Sequence, residues 1–288
     1  MVLEADASIG GQPQKLYPFK TILDIPAYSQ IKAEDLINEL SHNINRDTRI
    51  KTNEPVQYLA KSENGFILNG KFEVKSIIIA TGNGAFKPKK LPLKLNPNVE
   101  NRIHYYFKDP TIFKNQNIGI FGGGDSALDW ALELANICNV ALVHRRDNFR
   151  GLESSVNKLQ SLKNVQILTP YLPKDIQLND NKLNVHLREV GSSNFKDISF
   201  DQILVAYGFK ANNNFVKNWG IHLKQSRIEV DFGMRTNIDG IYAIGDVVNY
   251  PKRIPVIGVG FGEAQIAINS IMNDLFPDKS LTIHSTSL

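Results

Sequence analysis

Residues 117–127 read Asn117-Ile118-Gly119-Ile120-Phe121-Gly122-Gly123-Gly124-Asp125-Ser126-Ala127. The first five read as a strand, apolar after Asn117, and the pattern Gly122-x-Gly124-x-x-Ala127 stands between that strand and a helical stretch over 125–138. Each small residue has a mechanical reason in a dinucleotide-binding turn. Gly122 permits the tight turn, Gly124 lets backbone N–H groups approach a pyrophosphate, and Ala127 allows the helix to pack on the strand. The helix N-terminus, with Asp125 and Ser126 in its first turn, then faces the anion. A strand over 140–144 completes a βαβ unit.

The end of that second strand chooses the cofactor. An acid there, about twenty residues after the glycine turn, suits the free ribose 2′-hydroxyl of NAD. This chain instead carries His144-Arg145-Arg146, with Arg150 four residues on. Guanidinium groups at that place suit a 2′-phosphate through charge-assisted, often bidentate contacts. The competing reading is a solvated basic face; the position after a βαβ unit favours NADPH.

Around this unit the chain is ordinary in composition. Its 288 residues have room for two domains. The 33 Lys and Arg against 29 Asp and Glu leave a net charge of +4, which implies neither a nucleic-acid partner nor an acidic tail. With 42% hydrophobic residues a sizeable core can form. The longest apolar runs fall short of a membrane span and no signal peptide is visible at the N-terminus, so the expected setting is cytoplasmic. The lone cysteine, Cys138, rules out an intramolecular disulfide, a Cys-X-X-Cys redox centre and a multi-cysteine zinc site; it reads as a buried structural thiol.

The chain opens with Met1-Val2-Leu3-Glu4, the tail of a buried strand. Apolar positions at helical spacing follow over 31–45, and short alternating segments between 49 and 81 suggest a small antiparallel insertion. It ends in Ile77-Ile78-Ile79-Ala80-Thr81-Gly82, an apolar run suited to a parallel strand. A Pro- and Lys-rich stretch over 87–97 is a plausible linker. Beyond the βαβ unit a helix is expected over 153–162, with strands over 165–168, 182–189 and 197–206. A last strand over 240–244, the turn Gly245-Asp246 and a helix over 262–275 close the chain. The expected fold class is α/β, with two Rossmann-like nucleotide-binding domains of three layers. The first domain is discontinuous (1–111 and 231–288), and the second, over 112–230, is inserted in it.

A second nucleotide is suggested by Ile78-Ile79-Ala80-Thr81-Gly82 and Gly240-Ile241-Tyr242-Ala243-Ile244-Gly245-Asp246, each setting an apolar strand against a glycine turn. Asp246 at a strand end is placed to accept hydrogen bonds from a polyol such as a ribityl chain, or else to cap the next turn. Glu4 ends the first strand, where an acid binds an adenosine ribose. Taken together, Gly10-Gly11-Gln12, Ala80 through Pro88, Gly122 through Trp130, His144 through Arg150, Phe209 and the C-terminal His284-Ser285-Thr286-Ser287-Leu288 carry a resemblance. The chain resembles the flavoprotein reductases built like thioredoxin reductase, and most closely the bacterial ferredoxin–NADP reductases of that architecture.

The resemblance implies FAD and NADPH as cofactors, ferredoxin or flavodoxin as electron partner, and a homodimer. It implies that Glu4, Gln12, Tyr17, Val56, Phe86, Asp246 and Thr286 line the FAD site, with Tyr17 and His284 stacked on the two faces of the isoalloxazine. Gly122, Gly124, Asp125, Ser126, Arg145, Arg146 and Arg150 would hold NADPH. Thioredoxin reductases carry Cys-X-X-Cys just before the second glycine turn; the corresponding stretch here, Arg102 through Asp109, has no cysteine. Dithiol exchange is thereby excluded, leaving hydride transfer from NADPH to flavin and single-electron release. No side chain need act as acid or base. A basic stretch, Lys87-Pro88-Lys89-Lys90, is suited to steer an acidic ferredoxin or flavodoxin; a solvated lysine loop is the alternative.

Family members begin with a further strand, a G-x-G-x-x-G turn and a helix. The first domain is therefore expected to be N-terminally truncated, without its central strand and pyrophosphate cradle. Unpaired buried backbone groups cost on the order of 1–3 kcal/mol each, so two other readings stay open: a flavin-free NADPH-binding module and an inactive remnant.

Overall fold

The computed structural model describes residues 1–84, 87–210 and 214–279. By their contacts these divide into two compact units: residues 1–11, 21–84, 87 and 214–279 in one, residues 12–20 and 88–210 in the other. The expected boundaries at 111/112 and 230/231 fall inside these units. Residues 88–111 contribute the Ile103–His104 strand to the second unit, paired in parallel with Gln202–Val205. Residues 214–229 bring Val216, Ile221 and Ile228 into the core of the first.

The second unit is built on Asn117–Phe121, which pairs in parallel with Asn139–Val143 on one side and Gln202–Val205 on the other. Val165–Leu168 extends the sheet beyond Asn139–Val143, giving the strand order 103–104, 202–205, 117–121, 139–143, 165–168. The chain leaves its central strand in one direction and returns on the other side, which makes a topological switch point at Asn117–Phe121.

Both faces of this sheet are covered, and side chains alternate between them with the strand period of two. Ile118, Ile120, Val140, Leu142 and Leu204 pack beneath the helices Asp125–Leu134 and Glu153–Ser161 with Ala127, Leu128, Trp130, Leu134 and Leu159. Phe121, Ala141, Val143, Ile203 and Val205 face the other way, onto Leu183, Val185, Leu187 and Phe200 of an antiparallel sheet formed by Tyr171–Asn179, Lys182–Glu189 and Phe195–Phe200. Helices, parallel sheet and antiparallel sheet make the three layers. Double-sided burial explains why these strands read as continuous apolar runs, and each fully buried Leu or Ile contributes roughly 1.5–3 kcal/mol.

Several elements differ from the sequence expectation, two of them in the antiparallel layer. The single strand over 197–206 is two, Phe195–Phe200 and Gln202–Val205, because the chain changes layers at Asp201. The Asp201 N–H donates to the Asn117 carbonyl and its Oδ2 accepts from the Asn117 N–H, both at 2.8 Å, so the crossing is pinned to the first residue of the central strand. Tyr171–Asn179 was not expected at all; a bulge between Pro173 and Asp175 breaks its alternation.

In the first unit Val2–Leu3 pairs in parallel with Ile50–Lys51, and Ile77–Ile79 with Ile241–Ala243. The antiparallel insertion is Leu59–Ser62, Gly65–Leu68 and Phe72–Val74; residues 50–51 are outside it. Ala33–His42 and Ile257–Leu275 are the long helices, the second starting five residues before the expected 262. Phe66, Ile79, Ile241, Ala243, Val247 and Val248 form the centre of its core.

Candidate functional site

The glycine turn follows the central strand at the carboxyl edge of the parallel sheet, where open α/β folds bind ligands. The Gly122 N–H donates to the Val143 carbonyl at 3.0 Å, which extends the strand pairing into the turn. A Cβ on Gly122 would lie 2.7 Å from the Ala206 carbonyl oxygen and 3.0 Å from the Ala127 Cβ. Strand, helix and the neighbouring strand therefore close on that residue. A Cβ on Gly124 meets nothing within 4 Å. Gly124 caps the Asp125–Leu134 helix without any side-chain hydrogen bond, and Asp125 and Ser126 are exposed on its first turn. Uncapped N–H groups facing open space are what a pyrophosphate requires, so the residues present fit a dinucleotide.

Gly123 explains how the basic loop is held. An added Cβ would stand 2.4 Å from the His144 ring, so the imidazole lies directly on the glycine. His144 also stacks on Phe149, ring centroids 5.3 Å apart. The Arg150 N–H closes the loop by donating to the Gly123 carbonyl at 2.7 Å. Burial, and after it the Arg145 guanidinium, lower the His144 pKa below the usual histidine range. Arg145, Arg146 and Arg150 are exposed and, among the described residues, none is ion-paired. With Asp147, Asn148, Phe149, Pro170 and Val190 they line a cavity of about 520 Å³. All seven residues expected to hold NADPH thus fall in one unit, within one turn and the loop tied to it.

The residues expected to hold FAD are more scattered. Glu4 ends the Val2–Leu3 strand, and its Oε1 accepts from the Asp6 N–H at 2.9 Å; Val56 is half-buried in the same unit. Asp246 sits on the Gly245–Val247 turn after Ile241–Ala243. That turn and Thr81-Gly82 share the carboxyl edge of a parallel pair, tied by the Ile244 N–H donating to the Ile79 carbonyl at 3.0 Å. Gln12 and Tyr17 belong by contact to the other unit, not to the first domain where the sequence placed them. The cause is local: Phe19 stacks on Phe107 at 4.7 Å, and Lys20 pairs with Asp129 at 2.7 Å. Phe86, His284 and Thr286 lie outside the described residues.

Sequence reasoning missed a buried ionic cluster behind Asp246. Glu263, 2% exposed, takes hydrogen bonds from the Gly245 N–H, Tyr250 and Arg253. Its only sequence signal is an acid in the mostly apolar first half of the helix. Cys138 is buried, its Sγ lies 3.1 Å from the Leu134 carbonyl, and burial pushes its thiol pKa up to about 11. Such a thiol is inert at neutral pH.

A glycine turn at a switch point, an uncapped helix N-terminus and an arginine loop beyond the second strand define a dinucleotide-binding α/β protein. A family model described as pyridine nucleotide-disulphide oxidoreductase matches residues 11–268, and the chain belongs to that family. A protein named ferredoxin–NADP reductase from Lactobacillus acidophilus is 60% identical over 288 residues, covering 100% of this chain and 93% of the relative. One from Lactobacillus helveticus is 58% identical over the same share. Among solved structures, Lactococcus lactis thioredoxin reductase (FR conformation) superposes with a TM-score of 0.78 at 27% identity, over 96% of this chain and 90% of that one. No helix of the described residues is long and apolar enough to cross a membrane.

Proposed function

We propose that this chain is an NADPH-dependent FAD oxidoreductase that exchanges single electrons with ferredoxin, or with flavodoxin. The observation that carries the nicotinamide half is the arginine loop locked to the glycine turn through the Arg150–Gly123 bond of 2.7 Å. Its relatives at 58–60% identity are named ferredoxin–NADP reductase, which supports the electron partner. Bound FAD supplies the redox chemistry, taking two electrons as hydride and passing them on one at a time.

The chain's own residues bind and orient. The first-turn N–H groups at Asp125 and Ser126 receive the NADPH pyrophosphate, while Arg145, Arg146 and Arg150 hold the 2′-phosphate. Glu4 and Asp246 accept hydrogen bonds from the hydroxyls of FAD. Unit by unit, residues 1–11, 21–84 and 214–279 serve FAD, and residues 88–210 serve NADPH. No cysteine takes part, since Cys138 is buried and unpaired; a lone reduced thiol also fits a cytoplasmic setting. Exposed Phe261, Ile268 and Leu275, spaced by seven along the Ile257–Leu275 helix, offer an apolar stripe for a homodimer contact. The mass of the protein in solution tests it.

The deciding experiment incubates the purified chain with FAD, records its visible spectrum, and follows ferredoxin reduction by NADPH. Flavin absorption and NADPH-driven turnover are expected. A colourless protein that binds NADPH would make it a flavin-free binding module instead. Either Arg145→Ala or Arg146→Ala alone should weaken NADPH about 10- to 100-fold and NADH little, because one charged hydrogen bond contributes roughly 1.5–3 kcal/mol. Equal losses for both nucleotides would remove the 2′-phosphate assignment.

A further inference from the structure

Behind the Gly245–Asp246 turn lies a buried carboxylate that binding of a ligand does not by itself require. Glu263 is 2% exposed and the Arg253 side chain 4%. Three groups converge on this one carboxylate. The Gly245 N–H donates to Oε2 at 2.6 Å, while Tyr250 O–H and Arg253 Nε–H donate to Oε1, each at 2.8 Å. From the same guanidinium, Nη1 reaches Oδ1 of Asp246 at 3.4 Å. Asp246 is 35% exposed, and among the described residues its Oδ2 has no protein partner.

The geometry is a lever with two arms. One arm grips the turn through the backbone, where Gly245 adopts a left-handed φ of +77°. The other arm, Arg253, fixes one Asp246 oxygen and leaves the second free for solvent or ligand. A carboxylate this deeply buried is costly unless fully hydrogen-bonded, and three donors meet that requirement. We infer that Glu263 is a positioning residue which, through Arg253 and the Gly245 N–H, aims the free oxygen of Asp246 at a polyhydroxyl ligand. Resting on the proposed function, that ligand is the ribityl chain of FAD.

The test is a double-mutant cycle on the full flavin-free chain, with FAD affinity read from flavin fluorescence, NADPH affinity measured in parallel and the melting temperature recorded for each variant. D246N and E263Q should each weaken FAD by roughly tenfold or more, and the double variant should be no worse than D246N alone. NADPH affinity should stay unchanged throughout. E263D keeps the charge and should bind FAD better than E263Q. A merely structural role predicts the reverse, because glutamine preserves the volume and aspartate does not. Should E263Q alone fail to fold, R253M/E263Q removes both buried charges together and should still bind FAD weakly.

Additive losses in the cycle would overturn the inference, as would E263Q or R253M/E263Q with wild-type FAD affinity. Wild-type protein that binds FAD while D246N binds it equally well would overturn it and leave the reductase reading standing. Wild-type protein that takes up no FAD would bring down both.

Discussion

His144 joins the glycine turn to the arginine loop, resting on Gly123 on one side and stacking on Phe149 on the other. Its folded pKa lies below the ordinary value of 6.5, first because the ring is partly buried and next because Arg145 stands beside it. The unfolded chain therefore binds the proton first. Stability from this group is complete above pH 6.5 and is lost as the pH falls toward the folded pKa. Chemical denaturation at pH 7.5 and 5.5 should show a lower midpoint at the acid value, and His144→Asn should reduce that difference. A 2′-phosphate nearby favours the imidazolium, so NADPH binding near pH 6 should take up protons; calorimetry in buffers of different ionisation enthalpy measures this.

At the scale of single elements, the Asn139–Val143 strand illustrates what burial on both faces does. Leu142 is fully buried against the helices, and Leu142→Ala should cost about 2–5 kcal/mol in denaturant unfolding. The same burial made the strand legible in the sequence, since a short unbroken apolar run after a helix suits a strand covered on both sides. Elements whose course depends on distant partners were not legible. Pro173 and the bulge hid Tyr171–Asn179, and the split at Asp201 is decided by Asn117, 84 residues away. Glycines at 258 and 260 lower helix propensity and hid the true start of the Ile257–Leu275 helix. The residues expected to hold NADPH fall on one turn and the loop tied to it because they are close in sequence. By contrast, the membership of Gln12 and Tyr17 turns on the Phe19–Phe107 stack, and the role of Glu263 turns on partners gathered by the fold.

Over the whole molecule a charge of +4 and the exposed Lys89 and Lys90 favour an acidic electron partner, although Lys90 already pairs with Glu100 at 2.8 Å. Ferredoxin reduction should slow as salt is raised, and K89E/K90E should lower kcat/KM for ferredoxin while leaving that for NADPH unchanged; a salt-independent rate would remove the steering role. The bond from the Arg150 N–H to the Gly123 carbonyl also limits how such a protein can change its nucleotide. On the proposed function, the loop that tells one cofactor from another is stitched by its backbone to the turn that grips both, so it cannot be exchanged as a cassette. Preference can drift toward NADH only by replacing side chains along a path that stays fixed, and a graft that shortened or lengthened residues 144–150 would lose both nucleotides together.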